Sequence, residues 1–538
     1  MELAVTARYL LVPVRAGATK RTFRLSLGED LLREFEVELA TDGQPEWWAF
    51  YDLAPWLGEV LELASSAGVT DTELARLAVC LDQADQPRGQ ENLYRERLRP
   101  QYHFTSRRGW NNDPNGLVYH AGEWHLFYQH NPFGTGWGNM HWGHAVSSDL
   151  VHWEELPTAL YPRSLGDQAF SGGAVVDSAN TTGWGAAEPA LIASYTSTGR
   201  GECLAYSTDR GRTFADYAGN PVLQHRGRDP KIIWYEPERK WVMVVYDESP
   251  GRRYAFYDSP DLCSWRYLSA VEGLYADPLD GFYECPELFC LPLDGRADQP
   301  RWVLHGAIRR TVDGQEQTTR SSYLVGRFDG QRFVAEGPVV EGHLGPHFYA
   351  AQAFSQAPND RVILVGWLAG AVYPGMPFSQ GMTVPLELAL RSTPAGPRLS
   401  FLPVAELAAL RRRSQQAEHL TASAANELLA AVEAELLDLT LELEVATPLV
   451  WDLHGTMLEV DAGRLRFGGL EVPLPVLDGR LTLRVLLDRA VVEIFAQDGL
   501  VAMARGGLAE QTRSLHLMLP QGGDIRGLTI HELSPAWA

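Results

Sequence analysis

A degenerate repeat between about residue 100 and residue 400 constrains the fold of this chain more than any other feature. One half of the repeat is a hydrophobic strand pattern; it occurs at residues 123–128, 240–246, 301–305 and 361–367. The other half is a polar turn that leads to an aromatic residue; its aspartates are Asp149, Asp209, Asp261 and Asp329. By subtraction these aspartates lie 60, 52 and 68 residues apart. Such a spacing accommodates about four strands, the size of one propeller blade. The repeat therefore predicts a β-propeller over residues 99–400, with a long β-sandwich as the alternative.

The segment before the repeat also has strand character. Residues 22–27 and 34–39 alternate between apolar and polar side chains, as strands with one buried face do. Residues 71–80 fit either a short helix or another strand, and the charged stretch 83–97 fits a linker. We predict a small N-terminal β domain over residues 1–98.

After the repeat, residues 401–420 are interpreted as a helix and linker. Alternating patterns then return at residues 439–445, 481–487 and 491–495, separated by turn residues. These patterns predict a β-sandwich over residues 421–538. The predicted fold class of the whole chain is all-β.

Three carboxylates stand in unusual surroundings within the repeat region. Asp113 lies in the stretch GWNNDPNG at residues 109–116, where a proline and a glycine predict a sharp turn. Asp229 follows in Arg-Asp-Pro and Glu284 in Tyr-Glu-Cys-Pro, 116 and then 55 residues further on by subtraction. Taken singly, they are explained equally well as an Asx-turn, a surface ion pair and a solvated strand end. In a propeller, however, the innermost strands of different blades meet at one channel mouth, so the three carboxylates are expected to converge.

The same stretches resemble motifs of glycoside hydrolase family 32, the β-fructosidases, which include invertases, inulinases and levanases. Residues 110–116 resemble its W-x-N-D-P-N-G motif, 228–230 its R-D-P motif and 284–285 its E-C motif. Residues 488–495 resemble the D-x-x-x-V-E-I-F signature of its C-terminal domain. The resemblance runs from about residue 100 to the end, and residues 1–98 loosely resemble an N-terminal extension of bacterial levanase-like members. It implies a five-bladed propeller followed by a C-terminal β-sandwich.

The resemblance also implies roles for the three carboxylates. Asp113 would be the nucleophile, Glu284 the general acid and base, and Asp229 a transition-state stabiliser that binds fructose hydroxyls. The neighbours of Glu284 solvate it poorly, which suits an acid that must keep its proton. The adjacent Arg228 is expected to favour the ionised form of Asp229 and to bond a sugar hydroxyl. No cofactor and no metal are implied.

Further stretches match sugar-binding segments of the family, such as Q-x-N-P at residues 129–132 and F-S-G at 170–172. The implied substrate contacts are Asn112, Gln129, Trp137, Phe170, Ser171, Arg228 and Trp367. The spacing of His141 and His144 is a minor hint of a metal site. Asn111, Gly173, His343 and His347 depart from the family pattern, so the choice among sucrose, inulin and levan stays open.

Composition restricts the partners. A formal net charge of -22 argues against nucleic acid and against an anionic membrane, while a neutral fructoside, small or polymeric, is compatible with it. The five cysteines are odd in number and widely spaced, which is not a disulfide framework.

No signal peptide or membrane-spanning run is recognisable in the sequence, so a cytoplasmic protein is expected, although a secreted chain without its signal would look the same. A homo-oligomer formed through the β domains is compatible with the sequence.

The main functional hypothesis is an exo-acting β-fructosidase. The alternatives are a fructotransferase or difructose-anhydride-handling relative with the same three carboxylates, and a non-catalytic fructan-binding propeller. The N-terminal domain is not expected to supply a catalytic residue, so its deletion should lower stability more than the intrinsic rate on sucrose. Its tryptophans Trp47, Trp48 and Trp56 fit either a sugar-stacking or interface patch or core packing.

Overall fold

A computed structural model describes residues 1–65, 69–249, 251–272, 281–312, 315–444, 447–475, 479–508 and 514–537, with the backbone alone at 281–282, 309–312 and 315–320. The regular secondary structure of the described residues is almost entirely β, in an N-terminal domain, a propeller and a sandwich. Within the described residues no helix is long and apolar enough to cross a membrane.

The N-terminal domain packs two small sheets around one core. Its strands are β1 (Glu2–Ala4), β2 (Tyr9–Val14), β3 (Lys20–Leu27), β4 (Asp30–Glu38), β5 (Trp47–Asp52), β6 (Val60–Ser65) and β7 (Asp82–Ala84). One sheet has the order β1-β6-β3-β4 and the other β5-β2-β7. Between β6 and β7 the chain forms helix α1 (Asp71–Ala78). Thr70 caps this helix by accepting a 3.2 Å hydrogen bond from the Glu73 N–H. Short 3-10 turns occupy Ala54–Trp56 and Gln90–Asn92.

The three tryptophans of this domain do not share one surface. Trp47 is buried in the core, and the adjacent Trp48 lies on the opposite face of β5 under the guanidinium of Arg88, 4.4 Å from its ring centroid. Trp56 packs at the edge of the core beneath Arg33. Core packing and cation–π contacts therefore account for these residues better than a sugar-stacking platform does.

The propeller has five blades. Blade 1 holds β8 (Gly109–His120), β9 (Glu123–Asn131), β10 (His141–Ser147) and β11 (Glu154–Glu155), and blade 2 holds β12 (Ala174–Val176), β13 (Leu191–Ser197), β14 (Gly201–Ser207) and β15 (Ala215–Asp216). Blade 3 holds β16 (Gly227–Tyr235), β17 (Lys240–Asp247), β18 (Arg253–Ser259) and β19 (Arg266–Val271). Blade 4 holds β20 (Gly281–Leu293), β21 (Arg296–Val312), β22 (Gln315–Phe328) and β23 (Phe333–Ala335), with β24 (Val340–Glu341) on β22.

The fifth blade completes the ring. Its main strands are β25 (Tyr349–Ala353), β26 (Ile363–Trp367), β28 (Leu386–Arg391) and β29 (Arg398–Pro403), while β27 (Phe378–Ser379) pairs with β8 of blade 1. The first strands of the blades contact one another in sequence: β8 with β12, β12 with β16, β16 with β20, β20 with β25, and β25 with β8. Residues on these five strands therefore surround one central channel. Two 3-10 turns, Glu236–Glu238 and Pro358–Asp360, lie between strands.

The aspartate that recurs in the sequence has the same structural role in each of four blades. Asp149, Asp209, Asp261 and Asp329 each precede the outer strand of blades 1 to 4 and accept hydrogen bonds from backbone N–H groups two to four residues ahead. In every case the next residue has a positive φ, 58–86° across Leu150, Arg210, Leu262 and Gly330. The aspartate satisfies the donors that this left-handed step leaves free, so the repeat marks blade turns, as the propeller prediction requires.

The C-terminal sandwich contains β30 (Arg411–Leu420), α2 (Ala422–Ala430), β31 (Leu436–Glu444), β32 (Leu449–Leu453), β33 (Thr456–Asp461), β34 (Arg464–Phe467) and β35 (Leu470–Pro473). It continues with β36 (Arg480–Asp488), β37 (Val491–Ala496), β38 (Val501–Arg505), β39 (Leu515–Met518) and β40 (Ile525–Leu533). A six-stranded sheet, β30-β40-β31-β36-β37-β38, faces a five-stranded sheet, β35-β34-β33-β32-β39.

The interpretation of residues 401–420 as a helix and linker was wrong. The chain stays in blade 5 to Pro403, makes a 3-10 turn over Ala405–Leu410, and then forms edge strand β30. Both faces of that strand are polar, so no apolar alternation signals it. Pairing with β40 supplies the backbone hydrogen bonds that decide its conformation, and its three arginines suit an edge strand.

A buried histidine joins the propeller to the sandwich. His103 is fully buried; its Nδ1 lies 2.8 Å from an oxygen of Asp488 and its Nε2 3.1 Å from an oxygen of Glu493. The Asp488 carboxylate also accepts the backbone N–H groups of Gln101, Tyr102 and His103. The aspartate and glutamate of the C-terminal signature thus hold the two domains together.

The contacts of His103 with Asp488 and Glu493 predict that the protein loses stability at alkaline pH. Burial opposes the charge of His103, but the hydrogen bonds to Asp488 and Glu493 outweigh it and raise the pKa of the imidazole from 6.5 to about 9. A raised folded-state pKa contributes stability that is complete below pH ~6.5 and disappears as the pH rises through about 9, roughly 3 kcal/mol in all. We expect the urea midpoint of the wild type to fall across this window more steeply than that of His103→Gln, whose side chain cannot ionise. Parallel slopes would contradict the assignment.

A buried ion pair joins the inner strands of blades 3, 4 and 5. Lys231, one of three lysines in the chain, lies 2.9 Å from a Glu287 oxygen and donates a 2.6 Å hydrogen bond to the Ala353 carbonyl. The Ala353 N–H donates to the same glutamate at 3.1 Å. Burial raises the pKa of Glu287 to about 7, against the opposing effect of Lys231.

We expect Lys231→Met to lower the free energy of unfolding by roughly 3–5 kcal/mol, because it leaves a buried carboxylate without its cation. The matched control is the double variant Lys231→Met/Glu287→Leu, which removes both charges and should recover most of the loss. Thermal unfolding of the two variants measures the difference. Equal destabilisation would mean that packing, not the unpaired charge, causes it.

Candidate active site

The three carboxylates singled out in the sequence lie on the first strands of three blades, and each sits at a β-bulge. The strand registers shift between Asn111 and Pro114 in β8, between Arg228 and Lys231 in β16, and between Glu284 and Glu287 in β20. A bulge places two residues opposite one and turns a side chain out of the regular alternation. The local sequence, with a proline just after each carboxylate or one residue further on, removes a ladder donor at that point.

Asp113 is held from two sides. Its Oδ2 accepts a 2.6 Å hydrogen bond from the Ser171 hydroxyl of blade 2, and its Oδ1 accepts a 2.9 Å bond from the Asn112 amide. The Trp110 indole in turn donates to Asn112 Oδ1 at 2.8 Å. Burial raises the pKa of Asp113, Ser171 and Asn112 oppose this, and the charge of Glu284 adds to it. The result is an oriented carboxylate with partners on both oxygens.

Glu284 is bound by residues of two other blades. Its Oε1 accepts hydrogen bonds from Arg228 of blade 3, from Nε at 3.1 Å and from Nη2. Its Oε2 accepts from the Tyr349 hydroxyl of blade 5. The side chain keeps 16% of its surface exposed, so it faces the channel mouth rather than the core.

Asp229 is the most buried of the three, with 6% of its surface exposed. Its φ of 65° is left-handed; the Thr196 hydroxyl accepts its N–H at 3.0 Å, and its Oδ2 accepts the Cys285 N–H at 3.0 Å. Burial, then the charges of Glu284 and Asp113, raise its pKa to about 7, although Arg228 and the Cys285 N–H lower it.

As expected, the charge of Arg228 favours the ionised form of Asp229 by lowering its pKa, but burial has the larger and opposite effect. The guanidinium is directed at Glu284 across 56 residues of sequence, where it makes a two-nitrogen contact. Burial, together with the charges of Glu284 and Asp113, raises the pKa of Asp229 in spite of Arg228. Its contact with a sugar hydroxyl stays a prediction.

Cys285 links the carboxylates, a role that the motifs did not reveal. Its Sγ lies 3.6 Å from Asp229 Oδ2 and 3.9 Å from Asp113 Oδ2, and its φ of 51° turns the thiol into the channel. Burial and the two aspartate charges raise the pKa of this thiol well above its usual value. It is thus a neutral S–H donor shared by the two aspartates rather than a nucleophile.

Aromatic side chains surround the carboxylates. Trp110 and Trp367 meet edge to face with their centroids 6.0 Å apart, and the Tyr349 ring packs edge to face with Trp367 at 6.2 Å. Trp137 and Phe170 form a second edge-to-face pair, with their centroids 5.9 Å apart. Trp137 keeps 56% of its surface exposed, which leaves a face free for a sugar ring.

The remaining sequence-predicted residues take different positions. Ser171 contacts Asp113 directly, whereas Gln129 is buried and donates a 2.9 Å hydrogen bond to the Ala169 carbonyl, so it supports the segment that carries Ser171. His141 and His144 lie three residues apart on β10 and face opposite sides. His141 is held by Tyr51, and His144 by His125. Among the described residues no group of three potential ligands could hold a metal ion.

The sequence motifs also gave no indication that Tyr349 and Thr196 contact the carboxylates. Tyr349 lies in blade 5, 65 residues after the glutamate that it binds, and no motif points to it. Two of the four departures from the family pattern make structural contacts: His343 stacks on Phe348 at 3.9 Å, and His347 accepts the Gly506 N–H of the sandwich at 3.1 Å.

Known protein families and known proteins match most of this chain. Residues 103–400 match the family model of the glycosyl hydrolases family 32 N-terminal domain, and residues 462–506 match that of the family 32 C-terminal domain. The levanase of Bacillus subtilis (strain 168) is 38% identical over 514 residues, covering 87% of this chain and 74% of that protein. The extracellular exo-inulinase of Aspergillus niger (strain ATCC MYA-4892) is 36% identical over 343 residues, covering 56% of this chain and 63% of that protein.

Solved structures give the same result. The crystal structure of exo-inulinase from Aspergillus awamori superposes with a TM-score of 0.72 at 27% identity, covering 82% of this chain and all of that one. The propeller, the sandwich and the converging carboxylates are thus found together with the sequence motifs. This chain belongs to glycoside hydrolase family 32.

Proposed function

We propose that this protein is an exo-acting β-fructosidase that hydrolyses terminal β-D-fructofuranosyl units of fructans and sucrose with retention of configuration. The observation that carries the proposal is the meeting of Asp113, Asp229 and Glu284 at one channel mouth, with Cys285 between the two aspartates. The similarity to a levanase and an exo-inulinase supports the fructoside substrate.

In the first step, an Asp113 oxygen attacks the anomeric carbon of the fructosyl unit while the bond to the leaving oxygen breaks. Glu284 transfers its proton to that oxygen, which leaves as an alcohol, and the fructose is held as an ester of Asp113. In the second step, Glu284 takes a proton from water, the water oxygen attacks the anomeric carbon, and Asp113 departs as a carboxylate. Ser171 and Asn112 hold Asp113 in orientation throughout.

Asp229 assists this cycle by interacting with the sugar. With a pKa of about 7, it exists in both protonation states near neutrality and can accept from or donate to fructose hydroxyls. Since the charge of Asp113 contributes to that raised pKa, esterification of Asp113 lowers it and favours the ionised form. A negative Asp229 then faces the positive charge that develops on the sugar.

Arg228 and Tyr349 orient Glu284. Both contact its carboxylate oxygens, so they fix the side chain at the mouth where a leaving oxygen arrives. Each of the two stabilises the carboxylate that remains after the proton has been given away. The aromatic residues Trp110, Trp137 and Trp367 offer apolar faces for the ring of the sugar.

Sugar analysis after incubation with sucrose, inulin and levan tests the proposal. Free fructose released one unit at a time, without early intermediate-length fragments, is the expected result. Nuclear magnetic resonance of the first product should show the configuration of the substrate. A cyclic disaccharide or lengthened chains would indicate a fructosyl transferase, and the absence of any product from all three sugars would refute the hydrolase.

A further inference from the structure

The loop between β9 and β10, residues 132–140, connects the N-terminal domain to the candidate active site. It carries Trp137, whose ring contacts Phe170 beside Ser171. On its other side the loop is embedded in the N-terminal domain, to which the family motifs assign no function. Two residues make this attachment, Phe133 and Asn139.

Phe133 belongs to the core of the N-terminal domain although it lies in the propeller sequence. It is fully buried and stacks on Phe35 with centroids 4.0 Å apart and an interplanar angle of 9°. Tyr51 contacts the same ring at 5.2 Å. An aromatic ring buried in this way anchors the start of the loop to β4 and β5.

Asn139 pairs with the N-terminal domain through its side chain. Its Oδ1 accepts the Glu36 N–H at 2.8 Å, and its Nδ2 donates to the Glu36 carbonyl at 2.8 Å. The same Nδ2 donates to Asn131 Oδ1 at 2.9 Å. The side-chain amide thus imitates a neighbouring strand on the free edge of β4, and its own φ of 45° permits the turn into β10.

Asn131 makes the loop rigid from within. Its Nδ2 donates to the Gly136 carbonyl at 2.8 Å, and its Oδ1 accepts the Phe133 N–H at 3.0 Å in addition to the Asn139 amide. The bonded carbonyl lies immediately before Trp137. A contact on β4 is therefore relayed through two asparagine side chains to the backbone of the tryptophan.

We infer that the N-terminal domain positions Trp137 for the sugar, and that Phe133 and Asn139 are the positioning residues through which it sets substrate affinity. The inference rests on the proposed function, since Trp137 matters only if a sugar binds at its face. Neither residue contacts Asp113, Asp229 or Glu284 in the structure described. Losing them should therefore raise KM and leave kcat nearly unchanged.

The test compares Asn139→Gly with Glu36→Ala in the whole 538-residue chain. Glycine accepts the positive φ but removes all three side-chain hydrogen bonds, so we expect KM for sucrose to rise about tenfold, with kcat within about twofold. Glu36→Ala is the matched control, because Asn139 binds only the backbone of Glu36. It removes an exposed ion pair with Lys20 and should keep the wild-type KM.

Two further variants separate positioning from mere stability. Phe133→Leu keeps an apolar side chain but loses the ring stack, and we expect it to raise KM as well. Leu61→Ala weakens the N-terminal core on β6, which β3 separates from β4, and should lower the melting temperature without changing KM. If Leu61→Ala raised KM as much as Asn139→Gly, or if neither loop variant changed KM, the inference would be overturned.

Hydrogen exchange of residues 132–140 provides a readout that does not depend on activity. We expect faster exchange in Asn139→Gly than in Glu36→Ala. An inactive wild type would refute the proposed function while this measurement still reported on the loop. Unchanged exchange in Asn139→Gly would overturn the positioning claim even in an active enzyme.

Discussion

Asp113→Ala is expected to reduce kcat on sucrose by at least about a thousandfold, about 4 kcal/mol in the barrier. The reason is that no other described carboxylate has the paired support of Ser171 and Asn112 that orients this one toward the channel. Without the nucleophile the covalent intermediate cannot form, and only direct attack by water remains. Steady-state kinetics on purified protein measures the loss.

The variant should nevertheless stay folded. Burial and the charge of Glu284 both disfavour an ionised Asp113, so its removal relieves an unfavourable interaction, and the melting temperature at pH 7 should not fall. Asp149→Asn is the matched control, because it changes an aspartate of the same blade at an outer turn where asparagine also caps. A variant with Asp113→Ala that retained more than roughly a tenth of the wild-type rate, about 1.4 kcal/mol, would not fit a nucleophilic role.

Glu284→Ala is expected to cause a loss of similar size on sucrose, because the departing alkoxide then receives no proton. The defect should depend on the leaving group. A fructoside with a nitrophenyl leaving group needs little acid assistance, so its first step should be partly restored in Glu284→Ala. The same substrate should not restore Asp113→Ala, which makes that variant the control. Comparable rescue of both variants, or of neither, would place the acid elsewhere.

The pH dependence of the rate gives a second test of Glu284. We expect a bell-shaped profile, with the acid limb reporting the loss of charge on Asp113 and the alkaline limb reporting the general acid. Burial raises the pKa of Asp113, so the acid limb should lie above the usual range of an aspartate. In Glu284→Gln the alkaline limb should be absent from the residual activity. Its persistence would mean that another group, such as Asp229, governs it.

Local pattern was sufficient to predict propeller blades, whereas their number came from the family resemblance. Alternation with a period of two, recurrent aspartate turns and a spacing of about four strands predicted propeller blades, because a left-handed step after a capping aspartate is a local event. The same reasoning failed at residues 411–420, where both strand faces are polar and only the partner strand β40 specifies the structure. Alternation of apolar and polar residues predicts a strand that buries one face, and it does not arise in a strand that buries neither face.

The sequence by itself determined the all-β class and the repeat, because alternation and turn residues are local patterns, and its short motifs singled out three carboxylates. Tertiary structure alone decided how those carboxylates are held. Arg228 turns to Glu284 rather than to its neighbour Asp229, Tyr349 reaches Glu284 from another blade, and Cys285 lies between two aspartates. It also placed Phe133 in a core formed by residues 5–77. These contacts join positions far apart in the chain, and the closed ring of blades brings them within bonding distance.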